Sequence, residues 1–255
     1  MSNDSIKKTL GVAFAVCIVC SVMVSAAAVA LRPLQEANKA RETKKNILQA
    51  AGIYEPGMNI EEGFKVVEPR LVDLATGNFV EGDPVAYDTK KESKDPKKAI
   101  HLDADQDIAK IRQIAPKQVV YLLKKDGQLQ TLILPVYGKG LWSTMYAFVA
   151  LSGDANTVKG LSFYEHGETP GLGGEVDNPL WKAQWPGKKL FDKQGHLKIQ
   201  LVKGGVDPSK PGVQHKVDGL SGATLTARGV EDLIRFWMGK EGYGPLLEQI
   251  RKQGA

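Results

Sequence analysis

Three short segments combine glycines with residues that could hold or modify a ligand: GKGLW at 138–142, HGETPGLGG at 166–174 and DGLSGAT at 218–224. The third says most about its surroundings. Beyond it, Val230, Leu233, Ile234, Trp237 and Met238 fall at i, i+3, i+4, i+7 and i+8, the apolar stripe of an amphipathic helix. Ser221, Gly222, Ala223 and Thr224 therefore form the N-terminal end of that helix. Unpaired amides and the helix dipole suit an anion such as phosphate there, and the small residues let backbone approach it. The same residues also fit a plainer reading, in which Ser221 simply caps the helix.

The elements that must position these segments are mostly strands. In QVVYLLKKDGQLQTLILPV, Asp126-Gly127 supplies the two positive-φ positions of a tight turn between apolar runs. A second antiparallel pair follows, Met145 to Leu151 and Val158 to Tyr164, joined through Ser152-Gly153-Asp154. Residues 64–75 read as strand, with Pro69 pointing to an edge or a bulge. Leu197, Ile199 and Leu201 alternate with Lys198, Gln200 and Val202 and predict a further half-buried strand. The fold class is α/β (α+β), a mixed, mostly antiparallel sheet flanked by helices, with no internal boundary across 54–255.

At the N-terminus, Thr9 to Leu31 is a run of 23 residues without a charge. As a helix it spans roughly 34 Å, against about 30 Å of bilayer hydrocarbon. A cleaved signal peptide competes, because Ala26, Ala28 and Ala30 offer small-residue cleavage patterns, but the length favours a retained anchor. The expected order is a cytoplasmic tail at 1–8, a transmembrane helix at 9–31, a helical linker at 32–53 and an extracytoplasmic domain at 54–255. Lys7 and Lys8 agree with a cytoplasmic N-terminus. Arg32, Lys39, Arg41, Lys44 and Lys45 count the other way, but long following domains translocate largely regardless of such charges.

Inventory excludes several chemistries. Cys17 and Cys20 both lie in the apolar run, so the globular part can hold no disulfide framework, zinc-cysteine site or iron-sulfur cluster. Within the run they read as small apolar residues, and Val16 and Val19 before them argue against lipid attachment. The four histidines lack the spacing of a helical metal pair, and no metal site is expected. The net charge of +5 is too small and mixed to argue for nucleic acid. No Gly-x-Gly-x-x-Gly segment opens a helix after a strand, so no dinucleotide-binding fingerprint is present.

DGLSGAT matches the flavinylation pattern Asp-x-x-Ser/Thr-Gly-Ala-Thr, whose last threonine, here Thr224, is joined to FMN by a phosphoester. HGETPGLGG resembles the flavin-contacting loop of the same FMN-binding domain family, and GKGLW resembles its upstream loop. With the single anchor and the linker, the whole chain resembles the C subunits of the bacterial sodium-translocating NADH:quinone oxidoreductases, without departure at the motif positions. The resemblance implies covalent FMN on Thr224, with Asp218, Ser221, Gly222 and Ala223 completing the attachment motif. Asp218 would help present the threonine to a flavin transferase. Glu168, Thr169 and the backbone of Gly171 to Gly173 would bond the polar edge of the flavin. Leu172, Leu141 and Trp142, beside Gly140, would pack on its apolar part, although Trp142 fits ordinary core packing equally well, and Lys203 would attend the phosphate. It also implies an electron carrier among other subunits of a membrane complex that exports sodium from the bacterial inner membrane, with the main domain on the periplasmic side. The flavin subunit of a ferredoxin-dependent Rnf-type complex shares the three motifs and is the alternative, and a membrane-tethered binding or assembly module without flavin is another.

Overall fold

The structure, a computed structural model, describes residues 5–253. The first four residues of the expected tail at 1–8 therefore lie outside the described residues. The chain divides into two compact units, one up to Thr43 and one from Lys44 onward.

The N-terminal unit is helical. Helix α1 spans Ile6–Ala50 and includes the uncharged run, so it is long and apolar enough to cross a membrane. Pro33 lies inside it, two residues past the end of that run. From Lys44 on the helix belongs to the second unit, where Ile47, Leu48 and Ala50 are buried.

The second unit continues with α2 (Ile60–Phe64), β1 (Val67–Asp73), β2 (Phe79–Val80), α3 (Thr89–Glu92), β3 (Ile100–His101) and β4 (Gln113–Ile114). Then come β5 (Lys117–Lys125), β6 (Gln128–Lys139), β7 (Thr144–Ser152), β8 (Val158–Glu165) and α4 (Pro179–Lys182). It closes with β9 (Gln200–Val202), β10 (Lys216–Asp218), α5 (Thr224–Met238) and α6 (Gly244–Gln253).

Six strands form one antiparallel sheet in the order β2-β1-β5-β6-β7-β8. Asp126 and Gly127 both take positive φ in the β5–β6 turn, as expected of this dipeptide. Pro69 is opposite Tyr121 on β5, while the partner on the other side, β2, reaches only Leu71 and Val72, so its missing N–H breaks no ladder there. Strand alternation sends residues to two cores. Leu132, Leu134 and Val136 join the buried face of α5, with Val230, Leu233, Ile234, Trp237 and Met238 all at 0% exposure, as the stripe predicts. Ile133, Phe148 and Ala150 point the other way and pack with Ile47, Leu48 and Ile60. The sheet is thus flanked by helices on both faces.

The strand expected around 197–202 is a correction. Only Gln200–Val202 is strand, and it pairs in parallel with β10, outside the main sheet. The amides of Lys198 and Ile199 both donate to the Leu190 carbonyl, and Leu197 bridges Phe191, so the start of the alternating run is spent on a loop.

Candidate functional site

The three glycine-bearing segments, up to 80 residues apart in sequence, converge at one end of the sheet. GKGLW forms the turn between β6 and β7, closed by the Gly140 amide donating to the Ser143 carbonyl at 2.8 Å. It holds two large apolar side chains in solvent, Leu141 at 43% and Trp142 at 66% exposure. HGETPGLGG follows β8. The Gly167 amide donates to Ser143 Oγ at 2.6 Å, which ties this loop to the first. Further on, the Thr169 carbonyl accepts from Leu172 and Gly174 at 3.1 and 2.8 Å, leaving Thr169, Gly171 and Leu172 on the surface and Gly173 buried at the start of a 3-10 turn.

DGLSGAT joins β10 to α5. Asp218 ends β10, and its Oδ1 accepts from the Val206 amide at 2.7 Å, fixing the bend that carries Lys203. Gly222 turns the chain at φ +70°, and Leu172 lies against it, within 3.1 Å of where a Cβ would stand. Helix α5 begins at Thr224 with Ala223 in the N-cap position, and no side chain caps it. The expectation that Ser221 caps the helix is therefore corrected: Gly222 turns the chain so that the helix starts two residues later than a Ser221 cap requires. Thr224 is exposed and opens onto a cavity of about 780 Å³, also lined by Lys203, Asp218, Ser221 and Arg228. That is within the usual range for a small-molecule site.

Glu168 occupies the centre. It is only 5% exposed. Its Oε1 accepts from the amides of Trp142 and Ser143 at 3.0 and 3.3 Å, and its Oε2 from the amide of Leu141 at 3.1 Å and the hydroxyl of Thr226 at 2.6 Å. Burial pushes the carboxyl up, but the Thr226 hydroxyl and the three amides outweigh it and hold it below the usual carboxylate range. Four donors fill the four lone-pair positions of the carboxylate. Glu168 thus binds the protein's own backbone, whereas Thr169 and the backbone of Gly171 and Leu172 remain on the surface.

Two glycines exist for this carboxylate. A Cβ on Gly140 would come within 2.5 Å of Glu168 Oε1, and one on Gly173 within 2.5 Å of Thr226 Oγ1 and 3.0 Å of Glu168 Oε2. The stem of Glu168 is fixed as well, since its amide donates to His166 Nδ1 at 3.2 Å. That bond leaves the ring proton on Nε2, which donates to Asp177 Oδ2 at 2.8 Å. Sequence reasoning missed Ser143 and Thr226, which are held by contacts between distant segments, His166 and Asp177, which pair 11 residues apart, and also Arg228. One signal was available for Arg228, which is four residues after Thr224 and so on the same face of the helix.

The arrangement suits a flavin nucleotide on three counts. An uncapped helix start favours phosphate. Beside it, Leu172, Leu141 and Trp142 provide exposed apolar surface on two loops, where solvent alone gives no reason for it. Surface backbone at Gly171 offers polar groups to a ring edge.

Residues 140–239 match the FMN-binding domain family, from the first glycine loop to the end of α5. The C subunit of a Na(+)-translocating NADH-quinone reductase from Vibrio anguillarum is 53% identical over 253 residues, covering 99% of this chain and 98% of that protein. Its counterpart from Pseudomonas aeruginosa is 51% identical over 256 residues and covers 98% of both chains. Among solved structures, Shewanella oneidensis NqrC superposes with a TM-score of 0.77 at 38% identity, covering 85% of this chain and 99% of that one. With the fold, the glycine loops and identity along its whole length in agreement, this chain belongs to the family of Na(+)-translocating NADH-quinone reductase C subunits, oxidoreductase subunits with an FMN-binding domain.

Proposed function

We propose that the domain carries FMN joined by a phosphoester to Thr224 and relays electrons between other subunits of a membrane NADH:quinone oxidoreductase coupled to sodium export. The observation that supports this most is the setting of Thr224: exposed, at an uncapped helix start, and next to the apolar surface of Leu172. When bound, FMN supplies one- and two-electron chemistry that no side chain here offers. The chain's own residues bind and orient it. The first-turn amides of α5 meet the phosphate, with Lys203 and Arg228 lining the same cavity as cations. Leu141, Trp142 and Leu172 cover the apolar part of the ring, and Thr169 with the backbone of Gly171 takes its polar edge; Gly173, expected to share in this, is buried and does not. Asp218 holds the strand end that presents the motif.

Attachment requires a separate transferase, because the chain has no nucleotide-binding motif to handle FAD. The Thr224 oxygen forms the new bond to the FMN phosphorus as the pyrophosphate bond of FAD breaks. AMP leaves, and the hydroxyl proton passes to a base of the transferase. Helix α1 anchors the protein in the bacterial inner membrane as a single pass, with the domain on the periplasmic side. There a dissociable cofactor would be lost by mass action, and a covalent one is not.

The test is co-expression of the full chain with and without the transferase. Yellow colour that survives denaturation and precipitation is expected only with the transferase. Colourless protein under both conditions, or colour that washes away on unfolding, refutes covalent attachment.

A further inference from the structure

We propose that Glu168 and Thr226 form a positioning pair for flavin attachment, locking the first turn of α5, and with it Thr224, against the Leu141–Trp142 turn. The inference rests on the reading of Thr224 as the attachment point, and it gives the pair a role at a distance from the flavin itself.

The geometry carries it. Three successive amides, of Leu141, Trp142 and Ser143, converge on one carboxylate, an anion nest filled by the chain's own side chain. Thr226, at 1% exposure, closes the set from the buried side of α5. It is two residues beyond Thr224, so the two hydroxyls leave the same turn in different directions, one toward the carboxylate and one toward the cavity. The turn has no side-chain cap, and the Thr226 hydroxyl is its charge-assisted tie to the loop that bears the apolar surface. The spacing of Thr224 from Leu141 and Trp142 is therefore set at this carboxylate. Gly140 and Gly173 leave the space this carboxylate occupies, since a Cβ on either would run into it or into its partner Thr226.

Attachment depends on the acceptor hydroxyl being held in line with the phosphorus while the ring meets its surface, and small misplacements of reacting groups are costly in rate. The experiment follows labelling of the full chain in detergent by purified transferase and FAD, using intact mass against time, for Thr226→Ser, Thr226→Val and Glu168→Gln. The serine variant keeps the donor and should label at the wild-type rate. The valine variant keeps the shape without the donor and should label about tenfold more slowly or worse, while still unfolding cooperatively. Glu168→Gln turns an amide donor toward backbone donors and should be slowed likewise. Once labelled, its flavin should have a higher midpoint potential than wild type, because a negative charge that opposes reduction is gone.

Equal labelling rates for Thr226→Val and Thr226→Ser, both folded, overturn the proposal. If the valine variant does not fold, Glu168→Gln decides, and labelling at the wild-type rate overturns it too. Failure of the wild-type chain to take FMN on Thr224 would instead refute the attachment reading.

Discussion

Replacing Gly173 with alanine puts a methyl group into the most crowded part of the site. The added Cβ would stand 2.5 Å from Thr226 Oγ1, 3.0 Å from Glu168 Oε2 and 3.1 Å from Glu168 Cβ, where about 3.5 Å is comfortable. All three atoms belong to the pair that ties α5 to the loops, so relief means pushing the Thr226 hydroxyl off the carboxylate. Overpacking costs about 1–3 kcal/mol and losing a hydrogen bond to a charged group about 1.5–3 kcal/mol, which together come to roughly 2.5–6 kcal/mol. For a domain of this size that lowers Tm by roughly 5–24 °C. Gly171, two residues earlier, is the control. It is exposed with open space at its Cβ but takes φ +75°, so alanine there costs only the left-handed strain, about 1–2 kcal/mol. Thermal unfolding of the full chain in detergent, followed by near-ultraviolet circular dichroism, compares the two. A Gly173→Ala variant no less stable than Gly171→Ala would refute the view that the carboxylate cradle is tightly closed.

Two further predictions concern the same unit. Removing residues 1–43 should leave a cooperatively unfolding domain, whereas removing 1–51 also deletes the buried Ile47 and Leu48 and should cost about 3–6 kcal/mol in urea unfolding; equal stability of the two truncations would contradict the placement of that helix end in the core. Because the Glu168 carboxyl is held below its ordinary range in the fold, its contribution is fully present above the unfolded carboxyl pKa of about 4.3 and is lost as pH falls through the folded value. Wild type should therefore lose more stability than Glu168→Gln as pH drops below about 4, and parallel pH profiles would count against an ionised Glu168.

What the sequence made legible was local. The stripe from Val230 to Met238 is a property of 3.6-residue periodicity alone, and the helix buries those residues. The Asp126-Gly127 hairpin and the Met145–Leu151 strand were readable for the same reason, since turn chemistry and alternation act between neighbours. The glycine segments were visible as segments, but the purpose of their glycines was not. Gly140 and Gly173 make room for a carboxylate 28 and five residues away, and no periodicity encodes that. Glu168 reads in sequence as a polar residue in a flavin loop, yet its bonds reach 25 to 27 residues back and 58 forward. The run at 197–202 failed in the opposite sense. It has strand alternation, but the Leu190 carbonyl takes two of its amides and only three residues pair with β10. Ser221 was the obvious cap by residue type, and the turn at Gly222 moved the helix start past it.

The central claim is that Thr224 bears the flavin, and mass spectrometry tests it most directly. Full-length protein co-expressed with the transferase should gain the mass of one FMN phosphoester, and on digestion that mass should map to the peptide containing Thr224. Thr224→Ala should gain none while still unfolding cooperatively, because alanine is a good helix former at that position. FMN found on the alanine variant, or on a wild-type peptide without Thr224, would contradict the account.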